Sequence, residues 1–240
     1  MPELREYQKY VFNKFKYEHD KLFLVWFRQS GKSFLMVKIV EDFILNNKGK
    51  KILFFVDKKQ YITHFKDMVI RNIPSNYCIS KHRSDDCLYF INDNFLQFCS
   101  FKQGMSPLFT PAPDLVILDT IFLTPTETQR TQLKLLKIFM DAIVCKWIVV
   151  PALTELPDIY LDILDNDDTF YVNVLSYHML NNGIETPKGE DSWVNHYTFK
   201  EDKCLEWFHN KRPEMVEYMS KNYMRRLKLK KLKKIQDGNY

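Results

Sequence analysis

"LVWFRQSGKSFLMVKIVEDF", residues 24–43, passes from an apolar run through Arg28-Gln29-Ser30-Gly31-Lys32-Ser33 into a helix-like repeat. A phosphate-binding loop reads G-x-x-x-x-G-K-[ST]. Backbone N–H groups at a helix N-terminus surround the phosphates, the lysine neutralises their charge and the hydroxyl after it binds magnesium. Gly31, Lys32 and Ser33 supply the second half of the pattern, and Trp26 stands where the first glycine belongs. The context decides the reading. "LFLVWF" (22–27) is a short apolar strand, and Phe34, Leu35, Val37, Ile39, Val40, Phe43 and Ile44 fall at helical spacing over 32–47, up to the turn "NNKGK". A Gly-Lys-Ser tripeptide is common by chance but rare at a strand-to-helix junction.

Working outward, "KILFFV" (51–56) is a second buried strand, followed by a helix from Gln60 to Ile70. In 87–101 two aromatic-rich runs flank Asn92-Asp93-Asn94, turn chemistry that predicts an antiparallel hairpin. After the proline-rich "SPLFTPAPD" comes "LVILD" (115–119), a continuous apolar strand ending in Asp119. Its carboxylate is suited to holding magnesium through water, the Walker B role. An amphipathic helix over 126–144, a fourth strand "KWIVVPA" (146–152) and a fifth "TFYVNVLSY" (169–177) complete the pattern. Strands alternating with helices call for a mainly parallel central sheet with helices on both faces, an α/β fold.

The chain has 240 residues, 45% of them hydrophobic, enough for one large α/β domain with a small appendage. No apolar run approaches the length of a membrane span, and the opening "MPELREYQKY" lacks an apolar signal core, so a soluble, intracellular protein is expected. The five cysteines (Cys78, Cys87, Cys99, Cys145, Cys204) form no C-x-x-C pair, and the six histidines form no H-E-x-x-H motif, so zinc chemistry has no support and idle thiols are expected. The formal charge of +5 is uneven: 225–234, "RRLKLKKLKK", holds Arg225, Arg226, Lys228, Lys230, Lys231, Lys233 and Lys234. Taking those seven from 35 Lys and Arg leaves 28 against 30 Asp and Glu, about −2 for the body of the chain.

The run "RQSGKS" resembles the deviant Walker A of viral and phage large terminase subunits, the motors that drive DNA into capsids, in which Arg-Gln precedes x-G-K-[ST] and the first glycine is often missing. "LYFINDNFLQF" (88–98) is similar to that family's short hairpin between the second strand and Walker B, with Asn92 at its asparagine. "LREYQ" (4–8) resembles the Q-motif of terminases and related helicases. The resemblance spans 3–175. It implies a RecA-like P-loop ATPase fold of the ASCE type with ATP and magnesium as cofactors: Tyr7 stacking on adenine and Gln8 bonding it, Lys32 on the β- and γ-phosphates, Ser33 and Asp119 on the metal, and Arg28 sensing the γ-phosphate within the cradle Arg28-Gln29-Ser30-Gly31. An arginine suits that place because its planar fork grips developing phosphoryl charge.

Three departures from the family pattern bear on activity. Walker B is followed by Thr120 where the family has the glutamate that orients water, and loss of a general base costs about 10²- to 10⁴-fold in rate. The nearest downstream carboxylate, Glu127, reaches the site only if the loop "LTPT" folds back, and otherwise serves as an N-terminal helix carboxylate. Val150-Pro151-Ala152 replaces the small polar pair that couples hydrolysis to motion, and after residue 180 there is no carboxylate set on strands for the nuclease domain with which terminases continue. The tail, read as a helix starting near Pro213, suits DNA phosphates with a salt slope of about −6, but equally a solvated terminus or an acidic partner.

The expectation is therefore a P-loop ATPase domain over 1–180 and a loop with a helical, basic C-terminal extension over 181–240. Its function is a terminase-like ATPase acting on double-stranded DNA, as a packaging motor or a nuclease-free relative, in the host cytoplasm or with the virion. It would assemble as a homo-oligomer or with a viral portal or nuclease partner. The alternatives are a degenerate P-loop domain with a structural role in a viral assembly, and a single RecA domain of a superfamily 2 helicase.

Overall fold

The computed structural model describes residues 3–26, 30–56, 59–80, 86–100, 112–121, 131, 134–135, 138, 142–151 and 170–175. In chain order the elements are α1 (Glu6–Tyr17), β1 (Lys21–Trp26), α2 (Lys32–Asn46), β2 (Lys51–Val56), α3 (Lys59–Asn72), β3 (Cys78–Ser80), β4 (Cys87–Phe90), β5 (Phe95–Ser100), β6 (Leu115–Ile121), β7 (Lys146–Pro151) and β8 (Phe170–Leu175). The chain forms two compact units, Met1–Leu24 with Arg28–Tyr171, and Val25–Phe27 with Val172–Tyr240. In the second, the described residues are the strand segments Val25, Trp26 and 172–175.

The first unit is a sheet in the order β3-β4-β5-β2-β6-β7-β1. Five neighbours, β5, β2, β6, β7 and β1, run parallel, and β3 and β4 add an antiparallel edge. β2 is buried at every residue, and β1 and β7 at all but the first, because a parallel sheet is covered on both faces and its strands carry unbroken apolar runs. The crossovers from β1 to β2 and from β2 to β5 travel one way across the sheet, and that from β6 to β7 travels back. Right-handed connections put oppositely directed crossovers on opposite faces, and α1, α2 and α3 pack against one another as one layer.

The expected strands and first two helices lie where the apolar spacing put them, within about two residues at each end. Three corrections follow, the first being α1 (Glu6–Tyr17), a helix that was not expected over the stretch opening with "LREYQ". β6 does not stop at Asp119: Thr120 and Ile121, both β-branched, extend it, and the register with β7 shifts between Asp119 and Ile121. The strand β3 was not expected, since three residues carry no readable period. Of the helix expected over 126–144, Thr131, Lys134, Leu135, Ile138 and Ala142 are helical and exposed, while Ile143 and Val144, the other described residues of that range, lie outside the helix.

The hairpin performs a task that its turn sequence did not reveal. Asp93 takes the left-handed conformation, φ 62°, at the tip. Asn92 Nδ2 donates to Ile44 O and Asn47 O at 2.6 and 2.7 Å, and Asn94 Nδ2 donates to the same two oxygens at 2.8 and 2.9 Å. Asn94 Oδ1 accepts Lys50 N at 2.8 Å. The orphan carbonyls at the end of α2 are thereby satisfied by another element of the sheet. Asn94 is buried, so Asn94→Ala takes the acceptor from Lys50 N and leaves Ile44 O and Asn47 O to Asn92 alone, at a cost of about 1–3 kcal/mol, read as a lowered urea midpoint. An unchanged midpoint would show that water replaces the amide without loss.

At the opposite edge from the strand ends, Asp114 ties three strands together. Its carboxylate accepts Lys50 Nζ and Lys51 N, both at 2.9 Å, and its carbonyl accepts Lys146 N at 2.9 Å. In the same unit the His19 and Tyr171 rings stack, with centroids 4.8 Å apart.

Candidate functional site: a phosphate cradle at the start of α2

Gly31 is the N-cap of α2 and adopts φ 83°, ψ 25°, a left-handed conformation that glycine takes without steric cost. Among the described residues no side chain caps this end, and the first turn holds no acidic residue. The start of this 15-residue helix, with the positive end of the helix dipole behind it, suits an anionic acceptor. Lys32 and Ser33, the first two helical residues, are half-buried beside them. Ser30 is buried, and its hydroxyl has no hydrogen-bond partner among the described residues. Such a buried hydroxyl beside the N-terminus of a helix suits a ligand rich in acceptor oxygens.

The loop is held from α1. Val11 and Phe15 bury one stripe of that helix, and Gln8, one turn earlier on the same stripe, is only 3% exposed. Gln8 Oε1 reaches back to accept Arg5 N at 2.8 Å, half of a capping box, and its Nε2 donates to Gly31 O at 3.1 Å. Tyr7 Oη donates to Ser30 O at 2.7 Å. Burial raises the Tyr7 hydroxyl above its ordinary pKa, only partly opposed by the Arg5 guanidinium, so at neutral pH it is a protonated donor. Any Cβ on Gly31 would lie 2.5 Å from Gln8 Nε2. Gly31→Ala therefore costs about 1–2 kcal/mol for the left-handed backbone alone and also displaces Gln8. A lowered melting temperature together with weakened triphosphate binding is the expected outcome, and binding at wild-type strength would contradict this geometry.

Asp119 faces the same edge of the sheet. Phe23, Val149 and Leu118 are level across β1, β7 and β6, so Asp119 lies one residue nearer the carboxyl ends, two strands from β1, or about 10 Å in strand spacing. It is buried, 6% exposed. α2 begins beyond the carboxyl end of β1, so the loop and the aspartate stand at the edge where open α/β sheets bind ligands. Among the described residues no group of three or more His, Cys, Asp or Glu forms a ready-made metal cage. A magnesium ion bound by one carboxylate, a hydroxyl and ligand phosphates does not need one.

A family profile for the type III restriction enzyme, res subunit, matches residues 1–145, which hold α1, the loop, Asp119 and the whole antiparallel edge. The chain belongs to this family. A search of curated proteins found no match. Among solved structures this res-subunit family member is similar to the HK97 bacteriophage large terminase, with TM-score 0.57 and 14% identity over 92% of this chain and 50% of that one. It is also similar to the Thermus phage P74-26 large terminase ATPase domain, with TM-score 0.56 and 11% identity over 89% and 91% of the two chains. The large terminase of the thermophilic bacteriophage D6E follows, with TM-score 0.50 and 15% identity over 73% and 45%. The family member spans about half the length of the HK97 protein, and at such identities the likeness is one of fold: a RecA-like P-loop domain, as the sequence resemblance implied.

Of the site residues expected in this family member, Tyr7, Gln8, Ser30, Gly31, Lys32, Ser33 and Asp119 stand at the loop or at the same sheet edge. Arg28, Gln29, Glu127 and the basic residues Arg225, Arg226, Lys228, Lys230, Lys231, Lys233 and Lys234 lie outside the described residues. Trp26, in the place of the first glycine, is the last residue of β1 and fully buried, so it serves the strand. The thiols of Cys99 and Cys145 are pushed up to about 12 by burial, which leaves them protonated and unreactive near neutral pH. No helix among the described residues is long and apolar enough to cross a membrane.

Proposed function

We propose that this chain is a terminase-like ATPase that binds ATP with magnesium and acts on double-stranded DNA, as a packaging motor or a nuclease-free relative of one. The observation that carries the reading is the uncapped start of α2, with Gly31 left-handed and Lys32 and Ser33 behind it, at the sheet edge that also presents Asp119. In this reading Lys32 neutralises the β- and γ-phosphates, while Ser33 and Asp119 hold the magnesium, which supplies charge stabilisation to the transferring phosphoryl group. Arg28 and Gln29 complete the cradle, Arg28 meeting the γ-phosphate, and Glu127 is the candidate to orient water in place of the missing glutamate. The ATPase domain runs over 1–180, and the extension 181–240 lays its basic residues on DNA phosphates. Fold likeness to phage large terminases supports DNA as the substrate and assembly with copies of itself, a portal or a nuclease.

Thr120 favours a second reading. It stands directly after Asp119, where the register with β7 shifts, and has no carboxylate with which to activate water. A chain limited by this residue binds nucleotide and turns over slowly, as a structural part of a viral assembly. Steady-state ATP hydrolysis with and without double-stranded DNA separates the two. Hydrolysis stimulated by DNA supports the motor, binding without turnover supports the structural role, and no binding of any triphosphate rejects both.

A further inference from the structure

We propose that Gln8 and Tyr7 position the phosphate loop and do not read the base, so that the site takes nucleoside triphosphates without selecting adenine. The inference rests on the triphosphate reading given above and deepens it.

A glutamine reads a base edge by offering one acceptor and one donor side by side. In Gln8 both ends are already engaged with backbone, Oε1 with Arg5 N at 2.8 Å and Nε2 with Gly31 O at 3.1 Å, and the residue is 3% exposed. It cannot swing out cheaply, because it shares the buried stripe of α1 with Val11 and Phe15, and turning the amide away would take the acceptor from Arg5 N and leave Gly31 O to Leu35 N alone. The fit is mutual. Gly31 leaves free the space that Gln8 Nε2 fills, since a Cβ there would come within 2.5 Å. Tyr7 is committed in the same way, its hydroxyl donating to Ser30 O at 2.7 Å. Its half-buried ring can still stack on a base, but stacking serves every base because each has a π-face.

Two neighbouring carbonyls, those of Ser30 and Gly31, are thus drawn toward α1. The amides that follow them at the start of α2 are left facing the ligand. Gln8 then acts on affinity through the phosphates, and its loss falls equally on every ligand that carries them.

The test is calorimetric titration of the full chain in magnesium with ATP, GTP and inorganic tripolyphosphate, for the wild type and for Gln8→Ala and Gln8→Glu, with circular dichroism to verify folding. In the wild type, ATP and GTP should bind with affinities within about tenfold, the range below which no base-edge hydrogen-bond pair is being counted. Either folded variant should weaken all three ligands by a common factor. The proposal is overturned if the wild type prefers ATP by more than that margin, or if Gln8→Ala weakens ATP and leaves tripolyphosphate unchanged. The wild-type comparison needs no variant, so a misfolded mutant does not spoil the test. Failure of all three ligands to bind the wild type is a different result, which rejects the triphosphate site itself and the inference with it.

Discussion

Lys32→Ala lowers triphosphate hydrolysis by about 10²-fold or more, the scale on which a fixed group aimed at developing phosphoryl charge is lost. Lys32 is the first residue of α2, directly after the left-handed Gly31, so its ammonium adds to the positive end of the helix. Alanine keeps the helix, whose propensity it favours, and keeps the amides. The defect should therefore appear in turnover and triphosphate affinity with the thermal midpoint nearly unchanged. A phosphate-release assay beside a melting curve checks both, and turnover within a few-fold of wild type would remove the site from this loop.

Phe54→Ala has the largest expected effect on stability, about 3–5 kcal/mol. Phe54 is fully buried in β2, level with Phe98 on β5 and Ile117 on β6. Its ring lies 4.6 Å from that of Phe65 on α3 and 5.6 Å from that of Phe98, both tilted, in the range where aromatic pairs attract beyond their buried area. Removing it opens a cavity between the sheet and the helix layer that a central strand, bonded on both sides, cannot collapse to fill. Urea unfolding should show a lowered midpoint with unchanged slope. A loss below about 1 kcal/mol would place the centre of packing elsewhere.

The strands that hold the site were legible because each is an unbroken apolar run, the mark of burial on both faces. "KILFFV" is β2 to the residue, and the hairpin about Asn92-Asp93-Asn94 closes where the turn chemistry put it. The loop residues were legible because amides, a lysine and a hydroxyl at a strand-to-helix junction have few other uses. What stayed hidden depends on contacts distant in sequence. Gln8 and Gly31 are 23 residues apart, and nothing local in "LREYQ" tells that the glutamine holds a carbonyl. Asn94 and Ile44 are 50 apart, so the turn could be read but not the helix end it secures. The continuation of β6 through Thr120 and Ile121 did leave a signal, two β-branched residues directly after Asp119.

The most direct measurement is a crystal structure of the full chain with a non-hydrolysable ATP analogue and magnesium. The account predicts the triphosphate against the amides of α2, with the metal about 2.0–2.1 Å from Ser33 Oγ and joined to the Asp119 carboxylate through water. Triphosphate density away from Gly31, or a metal that touches neither of those side chains, would contradict it.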